Sequence, residues 1–519
     1  MNNLEKNKVD FAIVAMSVRA PGANKLSDFW ENIVTMKECV SIGTQSKSEL
    51  STMVMSRGRI DDLFSFDNRK YRISDAEAEK LSVKYKKMIE MTGELLEFTN
   101  NLDREEALPC SVYISNEGDI LPKENQTSAL DFDKYISSGN EFISTRLSYI
   151  FNFSGESIDV LSACSSSLVA IELACQSLLF GDNKYSIAGG CNIHLPQEEG
   201  YIYYEGMIYS KSGHCCPFSS NSDGTVESNG IGLVMIKRLE DAIEDGDYIY
   251  AVIKGFSMNN DASDKMSYTS PGIMGQKQVI NKAIDRADIP INDLVYIETH
   301  GTATSVGDAI EYNVLSDTYG NLTKNPIYLG SVKANIGHTI RAAGVLSLIK
   351  IALMLNKGII TGMCNFKEIS PLITKVNKNL IIPESSFVYN NGLYDKYAGV
   401  SSFGIGGTNA HLILKGFKNK VEKLDNDSVN NTNIEKQICE EIDNENGSLR
   451  TNIAKILRKY LLVDYMEDDI DLYSSGMDSM VLLSFISECE EVTQMQYDLM
   501  DVVELSTVKE LLDYICENS

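Results

Sequence analysis

The sequence predicts two domains of different class: an α/β domain over residues 1–418 and a small all-helical domain over 448–519, joined by an acidic linker at 419–447. Three observations carry this. Strand-like runs alternate with helical periodicity through the first four-fifths of the chain. The stretch "NKVEKLDNDSVNNTNIEKQICEEIDNENG" is then rich in Asn, Asp and Glu and poor in large apolar residues, the composition of a flexible linker. From Ser448 the apolar spacing returns, now with a helical period only.

In chain order, "DFAIVAMSV", "SIDVLSA", "YSIAGGCNI", "IGLVMIKRL", "YIYAVIKGF", "LVYIETH" and "IYLGSV" are short and rich in β-branched and aromatic residues, so they read as strands. "GQKQVINKAIDRAD" and similar segments between them carry helical spacing. The most apolar run, "AAGVLSLIKIALML", is only about 14 residues long with Lys350 in its middle, which predicts a buried core helix rather than a membrane span. The polar opening "MNNLEKNKVD" has no apolar signal core, so a cytoplasmic protein is expected. Eleven cysteines show neither disulfide-framework nor metal spacing and are expected as reduced thiols. A net charge of −26 argues against a nucleic-acid partner, whose phosphates demand a basic face.

One thiol stands apart. In "SIDVLSACSSSLVA", Cys164 lies at the seam between a strand and a helix. Unpaired N–H groups at a helix start favour thiolate, so Cys164 is a candidate nucleophile. Of five histidines, two stand in similar places. His300 ends "LVYIETH", and His338 follows "IYLGSVKANIG" just before an apolar helix. Ligands of α/β sheets bind at strand C-termini, which makes these three ends candidates for one pocket. Each taken alone reads more readily as a tight turn of small residues.

"ACSSSLVAIELACQSL", "ETHGTATSVGDAIE", "SVKANIGHTIRAAG" and "GVSSFGIGGTNAHLIL" resemble, in order and spacing, the motifs of β-ketoacyl synthases, above all the ketosynthase domains of modular polyketide synthases. The resemblance spans nearly all of residues 9–418. It implies a thiolase-type fold of two similar αβαβα halves, assembled as a homodimer, although no internal repeat is visible in the residues themselves. It implies that Cys164 accepts an acyl group from a carrier thioester. His300 and His338 would then hold a malonyl-type thioester carbonyl and drive its decarboxylation, as neutral rings kept so by a helix N-terminus. The backbone N–H groups of Cys164 and Phe403 would form the oxyanion hole.

Lys333 matches the family's active-site lysine, whereas without the motif it reads as a solvated surface lysine. Glu311 reads either as a capping partner of Asp308 in "DAIE" or as the group that orders Lys333. "GIGG" lacks the rest of a nucleotide loop, and "HCC" at 214–216 lacks further metal ligands. His411 reads as structural, and His194 and His214 as structural or exposed. Four departures from the family pattern stand out: Leu161 where Asp is usual, Ala303 within the Gly-Thr-Gly-Thr segment, "SVKY" near residue 82, and Glu227-Ser228-Asn229 in place of Arg-Gly-Glu.

In the last domain, "DLYSSGMDSMVLLSF" resembles the modification motif of acyl carrier proteins, which implies 4′-phosphopantetheine on Ser479. Asp-Ser before an apolar helix is by itself also an N-cap. Leu482, Phe485, Ile486 and Cys489 fall at the spacing of one buried helical face. No acyltransferase, reductase, dehydratase or thioesterase region is visible. Carrier-bound acyl and malonyl-type thioesters, a separate acyltransferase, a phosphopantetheinyl transferase and other synthase subunits are therefore the expected partners. The leading expectation is decarboxylative condensation in polyketide biosynthesis; a non-elongating transacylase and a silent scaffold presenting the carrier are the alternatives.

Overall fold

The computed structural model describes residues 9–42, 53–102, 106–116, 135–139, 141–390, 392–419 and, with gaps, 450–517. The chain divides into two compact units, Met1–Glu422 and Lys423–Ser519.

The first unit is organised by one mixed sheet. Its strands in chain order are β1 (Phe11–Arg19), β3 (Cys110–Asn116), β4 (Ser157–Asp159), β5 (Tyr185–Asn192), β6 (Gly230–Arg238), β7 (Ala251–Asn260), β8 (Leu294–Glu298), β9 (Ile327–Gly330), β10 (Leu380–Ile381), β11 (Tyr397–Phe403) and β12 (Thr408–Lys415). A short strand outside it, β2 (Ser56–Gly58), lies near the site described below. The spatial order is β10-β9-β8-β11-β12-β7-β1-β6-β5-β3-β4.

That order contains the duplication that the residues hide. Outward from β1, strands β6 and β5 add antiparallel, then β3 and β4 add parallel. Outward from β7, strands β12 and β11 add antiparallel, then β8 and β9 add parallel. The two five-strand halves meet where β1 pairs with β7, antiparallel, at Phe11–Ile253 through Ile13–Ala251. Strands β1, β3 and β5 are buried at every residue, which is why they read as continuous apolar runs rather than alternating ones.

Each half places one helix after the fifth strand outward: α1 (Ser166–Leu179) after β4 and α3 (Ala343–Lys357) after β9, with α2 (Ser305–Leu315) between β8 and β9. Both α1 and α3 are buried around most of their circumference, as a helix layer enclosed by sheet on both sides must be. They touch at Gly344, where a Cβ would stand 2.7 Å from that of Leu168. Ser167 accepts the Val345 N–H at 3.1 Å across the same contact. Lys350 lies on α3, buried as expected. Among the described residues, no helix is long and apolar enough to cross a membrane.

In the second unit, Leu482, Phe485, Ile486 and Cys489 are buried together with Ile453, Leu457, Leu472 and Val502. They pack with Val508, Leu511, Leu512 and Ile515 of a closing helix, α4 (Val508–Glu517). Ser479, residues 420–447 of the linker and residues 448–449 lie outside the described residues.

Candidate active site

Cys164 occupies a single 3₁₀ turn, Ala163–Ser165, between β4 and α1. Ala163 sits at φ +55°, a left-handed conformation costly for a residue with a Cβ, so the turn must be held from outside. The serines around it do this. Ser166 Oγ accepts the Ser162 N–H at 2.7 Å and donates to the Ala163 carbonyl at 2.6 Å, while Ser165 Oγ donates to the Ser162 carbonyl at 2.8 Å. From the other half, Ser402 Oγ donates to the Cys164 carbonyl at 2.9 Å. Gly404 approaches so closely that a Cβ would stand 2.4 Å from the Ser162 carbonyl oxygen, so only glycine fits there.

The thiol differs from the expectation of a helix-end thiolate. Burial raises its pKa, and this outweighs the N–H of Ile405 and the nearby Lys333 and Arg341 cations, which lower it. Burial thus disfavours the thiolate at rest, while cations and a donor stand in place for the moment the sulfur ionises.

His300 follows β8, and Glu311 fixes its backbone. One carboxylate oxygen accepts the His300 N–H at 2.7 Å and the other the Gly301 N–H at 2.8 Å. Glu311 comes from α2, whose N-cap is Thr304; Asp308 is buried and accepts the Phe218 N–H at 2.7 Å. The capping-pair reading of "DAIE" is thus wrong: both carboxylates turn inward to hold loops instead of closing the helix end. Burial pushes Glu311 up to about 7 and Asp308 up to about 8. Ala303, a departure from the family glycine, is held at φ +61° and keeps the backbone conformation glycine favours.

His338 lies between the short turn Lys333–Ile336 and the 3₁₀ turn Ile340–Ala342. Its N–H donates to the Val226 carbonyl at 2.7 Å, and its carbonyl accepts the Ser228 N–H at 3.0 Å. The His300 and His338 rings stand 5.6 Å apart at 85°, and His300 lies 5.7 Å from the Phe403 ring. Both imidazoles are held well below their ordinary pKa, first by burial and then by the Lys333 cation. Desolvation is the largest cause of this neutrality. In each ring a buried nitrogen, Nδ1, has no hydrogen-bond partner among the described residues. Two neutral rings this close together are suited to meet one substrate oxygen.

Lys333 is buried, with 1% of its surface exposed, so it is not a solvated surface lysine. Burial lowers its pKa, against Glu298 and Glu311, which raise it. Glu298 and Lys350, to which the sequence reading gave no role at the site, form a fully buried ion pair at 2.7 Å. Glu298 also accepts the Val332 N–H at 2.5 Å, linking the strand that leads to His300 with the turn that starts at Lys333. A lysine in the middle of the most apolar run was the available signal. His411 is enclosed between Ser401 at 2.9 Å and Tyr319 at 2.7 Å, away from the site. His194 is about half exposed, and His214 pairs with Glu38 at 2.9 Å.

Residues 8–242 match the family model for the N-terminal domain of β-ketoacyl synthases and residues 250–367 that for the C-terminal domain. Residues 448–515 match that of a phosphopantetheine attachment site, a domain that carries this group covalently. Among solved structures, ketosynthase twelve of the bacillaene polyketide synthase of Bacillus amyloliquefaciens is 29% identical, with a TM-score of 0.74 over 79% of this chain and 75% of that one. The module 1 ketosynthase of the bacillaene synthase from Bacillus amyloliquefaciens FZB42 is 30% identical, with a TM-score of 0.72 over 79% and 76%. Among curated proteins, one of the phenolphthiocerol/phthiocerol polyketide synthase subunits of Mycobacterium tuberculosis is 36% identical over a 438-position alignment that covers 78% of this chain. The chain spans 29% of that relative's length. A duplicated sheet, a cysteine elbow and two neighbouring histidines where those motifs fall all agree with these matches: the chain belongs to the β-ketoacyl synthase family, with a phosphopantetheine attachment domain behind the condensing fold.

Proposed function

We propose that residues 1–418 catalyse decarboxylative condensation in polyketide biosynthesis, joining an acyl group on Cys164 to a malonyl-type extender, and that residues 448–519 serve as the carrier. The observation that carries this reading is the pair of neutral imidazoles, His338 buried and His300 partly buried, 5.6 Å apart beside the Cys164 elbow.

In the loading step, the Cys164 sulfur attacks the incoming acyl thioester carbonyl. The sulfur–carbon bond forms and the carrier thiol departs with the proton. Lys333 and the Ile405 N–H, which already draw the thiol pKa down, stabilise the sulfur as it ionises. In the second step the extender's carboxylate bond breaks, carbon dioxide leaves, and the electron pair passes into an enolate whose oxygen faces His300 and His338. The enolate carbon then attacks the Cys164 thioester. The tetrahedral oxyanion forms beside the N–H groups of Cys164 and Phe403, and its collapse releases the sulfur. Glu311 holds the His300 backbone, while Glu298 and Glu311 favour the Lys333 cation against the burial that disfavours it.

Ser479 is the proposed attachment residue for 4′-phosphopantetheine, which supplies a flexible thiol on which acyl groups travel. The burial of Leu482, Phe485 and Ile486 supports a helix directly behind that motif. Acyl- and malonyl-loaded carriers, a separate acyltransferase, a phosphopantetheinyl transferase and other synthase subunits complete the reading. A homodimer across the edge strand β4 is favoured by the exposure of Ile158 and Leu161 at that edge. Every described cysteine is a free thiol, which suits the cytoplasm.

Intact-protein mass spectrometry with acyl and malonyl carriers tests the whole. Wild type should gain acyl mass on Cys164 and then release carbon dioxide to give a condensed product. Cys164→Ala should take up no acyl group on residues 1–418, while Ser479 remains modifiable. Ser479→Ala should gain no mass from a phosphopantetheinyl transferase and coenzyme A. Acyl loading without decarboxylation would establish the transacylase instead, and no loading at all the scaffold.

A further inference from the structure

Glu227-Ser228-Asn229, one of the family departures, lies against His338. The His338 N–H donates to the Val226 carbonyl at 2.7 Å, and Ser228 N–H donates to the His338 carbonyl at 3.0 Å, so Glu227 and His338 form a parallel bridge. On its other side the same segment bridges β2. Gly58 N–H donates to the Glu227 carbonyl at 3.2 Å, and Asn229 N–H donates to the Gly58 carbonyl at 3.0 Å. The contact is close: a Cβ on Gly58 would stand 1.9 Å from Ser228 Oγ. The result is a three-rung ladder, β2 to Val226–Asn229 to His338.

This ladder is what holds His338. The chain on either side of the histidine is irregular, with Gly337 at φ +75° and Ile340 at φ +38°, and α3 begins only at Ala343. One side-chain cluster locks the ladder's outer two rungs. Arg57 of β2 meets Glu227 through both guanidinium nitrogens, at 3.3 Å each, and its Nε donates to the Glu199 carbonyl at 2.8 Å. Tyr209 OH donates to the same Glu227 carboxylate at 3.3 Å. The Arg57 side chain is 3% exposed and that of Glu227 19%, so water is a poor alternative partner for either charge.

We propose that Arg57 and Glu227 are positioning residues for His338: their ion pair fixes the register of the ladder and so aims the imidazole at the extender's developing enolate oxygen. This rests on the condensation reading above. Acyl loading of Cys164 needs no histidine on the enolate, so the pair should matter to decarboxylation and leave loading alone. A displacement of about 1 Å at a reacting group typically costs on the order of 10²-fold, which sets the scale.

The test follows Cys164 loading and carbon dioxide release separately in the full chain. Glu227→Gln should slow decarboxylation of a malonyl carrier about ten- to a hundred-fold. Loading should stay within about two-fold and KM for the malonyl carrier should be unchanged, so the loss falls on kcat. Because Glu227→Gln leaves a buried cation, the double variant Arg57→Met with Glu227→Leu serves as the folded, uncharged control and should show the same split. In a His338→Ala background, Glu227→Gln should add nothing, since the group it aims is gone. Wild-type decarboxylation in both variants, an equal loss of loading and decarboxylation, or a full additional loss in the His338→Ala background each overturns the proposal. A wild-type chain that loads but never decarboxylates overturns the condensation reading and this proposal with it.

Discussion

His300 and His338 stand 5.6 Å apart, share a low pKa of the same cause, and are secured in opposite ways. His300 is held by a neighbour: Glu311, from the helix that follows it, takes the N–H groups of His300 and Gly301 in one carboxylate. His338 is held by a stranger: its backbone is bonded on both sides to Val226 and Ser228, more than a hundred residues earlier. A short-range clamp depends on one side chain and one helix. A long-range ladder depends on the packing of a whole half against the other. The two rings should therefore fail differently when disturbed, even though the proposed condensation has them serve one oxygen.

The largest effects test whether they serve it together. His300→Ala and His338→Ala should each leave Cys164 able to accept an acyl group while lowering extender decarboxylation about 10²–10³-fold, the usual cost of losing one preorganised donor at an oxyanion. If both rings act on one carbonyl, as proposed, the double variant should lose much less than the product of the two. Condensation at wild-type rate in both single variants would remove the comparison altogether.

Next comes the clamp. Glu311→Ala strands two buried N–H groups, each worth about 1–3 kcal/mol, and removes an anion that raises the Lys333 pKa. We expect a large fall in melting temperature together with loss of decarboxylation. Glu311→Gln retains one acceptor and should fall between that variant and wild type. If Glu311→Ala melts as wild type does, the clamp is not what secures His300.

The smallest effect is in the pH dependence of stability. Burial lifts Asp308 from its ordinary value to about 8. A raised carboxyl pKa means that the folded state binds the proton the unfolded state has released. That contribution is full below about pH 4 and is lost as pH rises through about 8. Asp308→Asn keeps an acceptor for the Phe218 N–H but cannot titrate, so its stability should decline less between these limits. Parallel unfolding curves for the two proteins across that range would show Asp308 to be silent.

Most of the site was legible because it is written in short stretches: Cys164 with its serines, His300 with Glu311, Phe403 with its glycines. Even there the sequence misled where burial decides. A helix start suggested a thiolate at Cys164, and "DAIE" suggested a cap, but desolvation raises the thiol and the two carboxylates face inward. Local motifs carry residue types and spacing; they do not carry how much water is excluded.

By itself the sequence determined the alternation of strand and helix, the residues that meet at the site, and the apolar face of Leu482, Phe485, Ile486 and Cys489 behind the Ser479 motif, since each depends on neighbours within a few turns of chain. Only the tertiary structure decided that β4 and β9, far apart in the sheet order, deliver Cys164 and His338 to one place. They do so because the two halves share a topology and their central helices touch at Gly344 and Leu168. The same holds for the Glu298–Lys350 pair and for the ladder that joins Gly58 to His338. These contacts link residues tens to hundreds of positions apart, and their strength comes from burial, which no local pattern encodes.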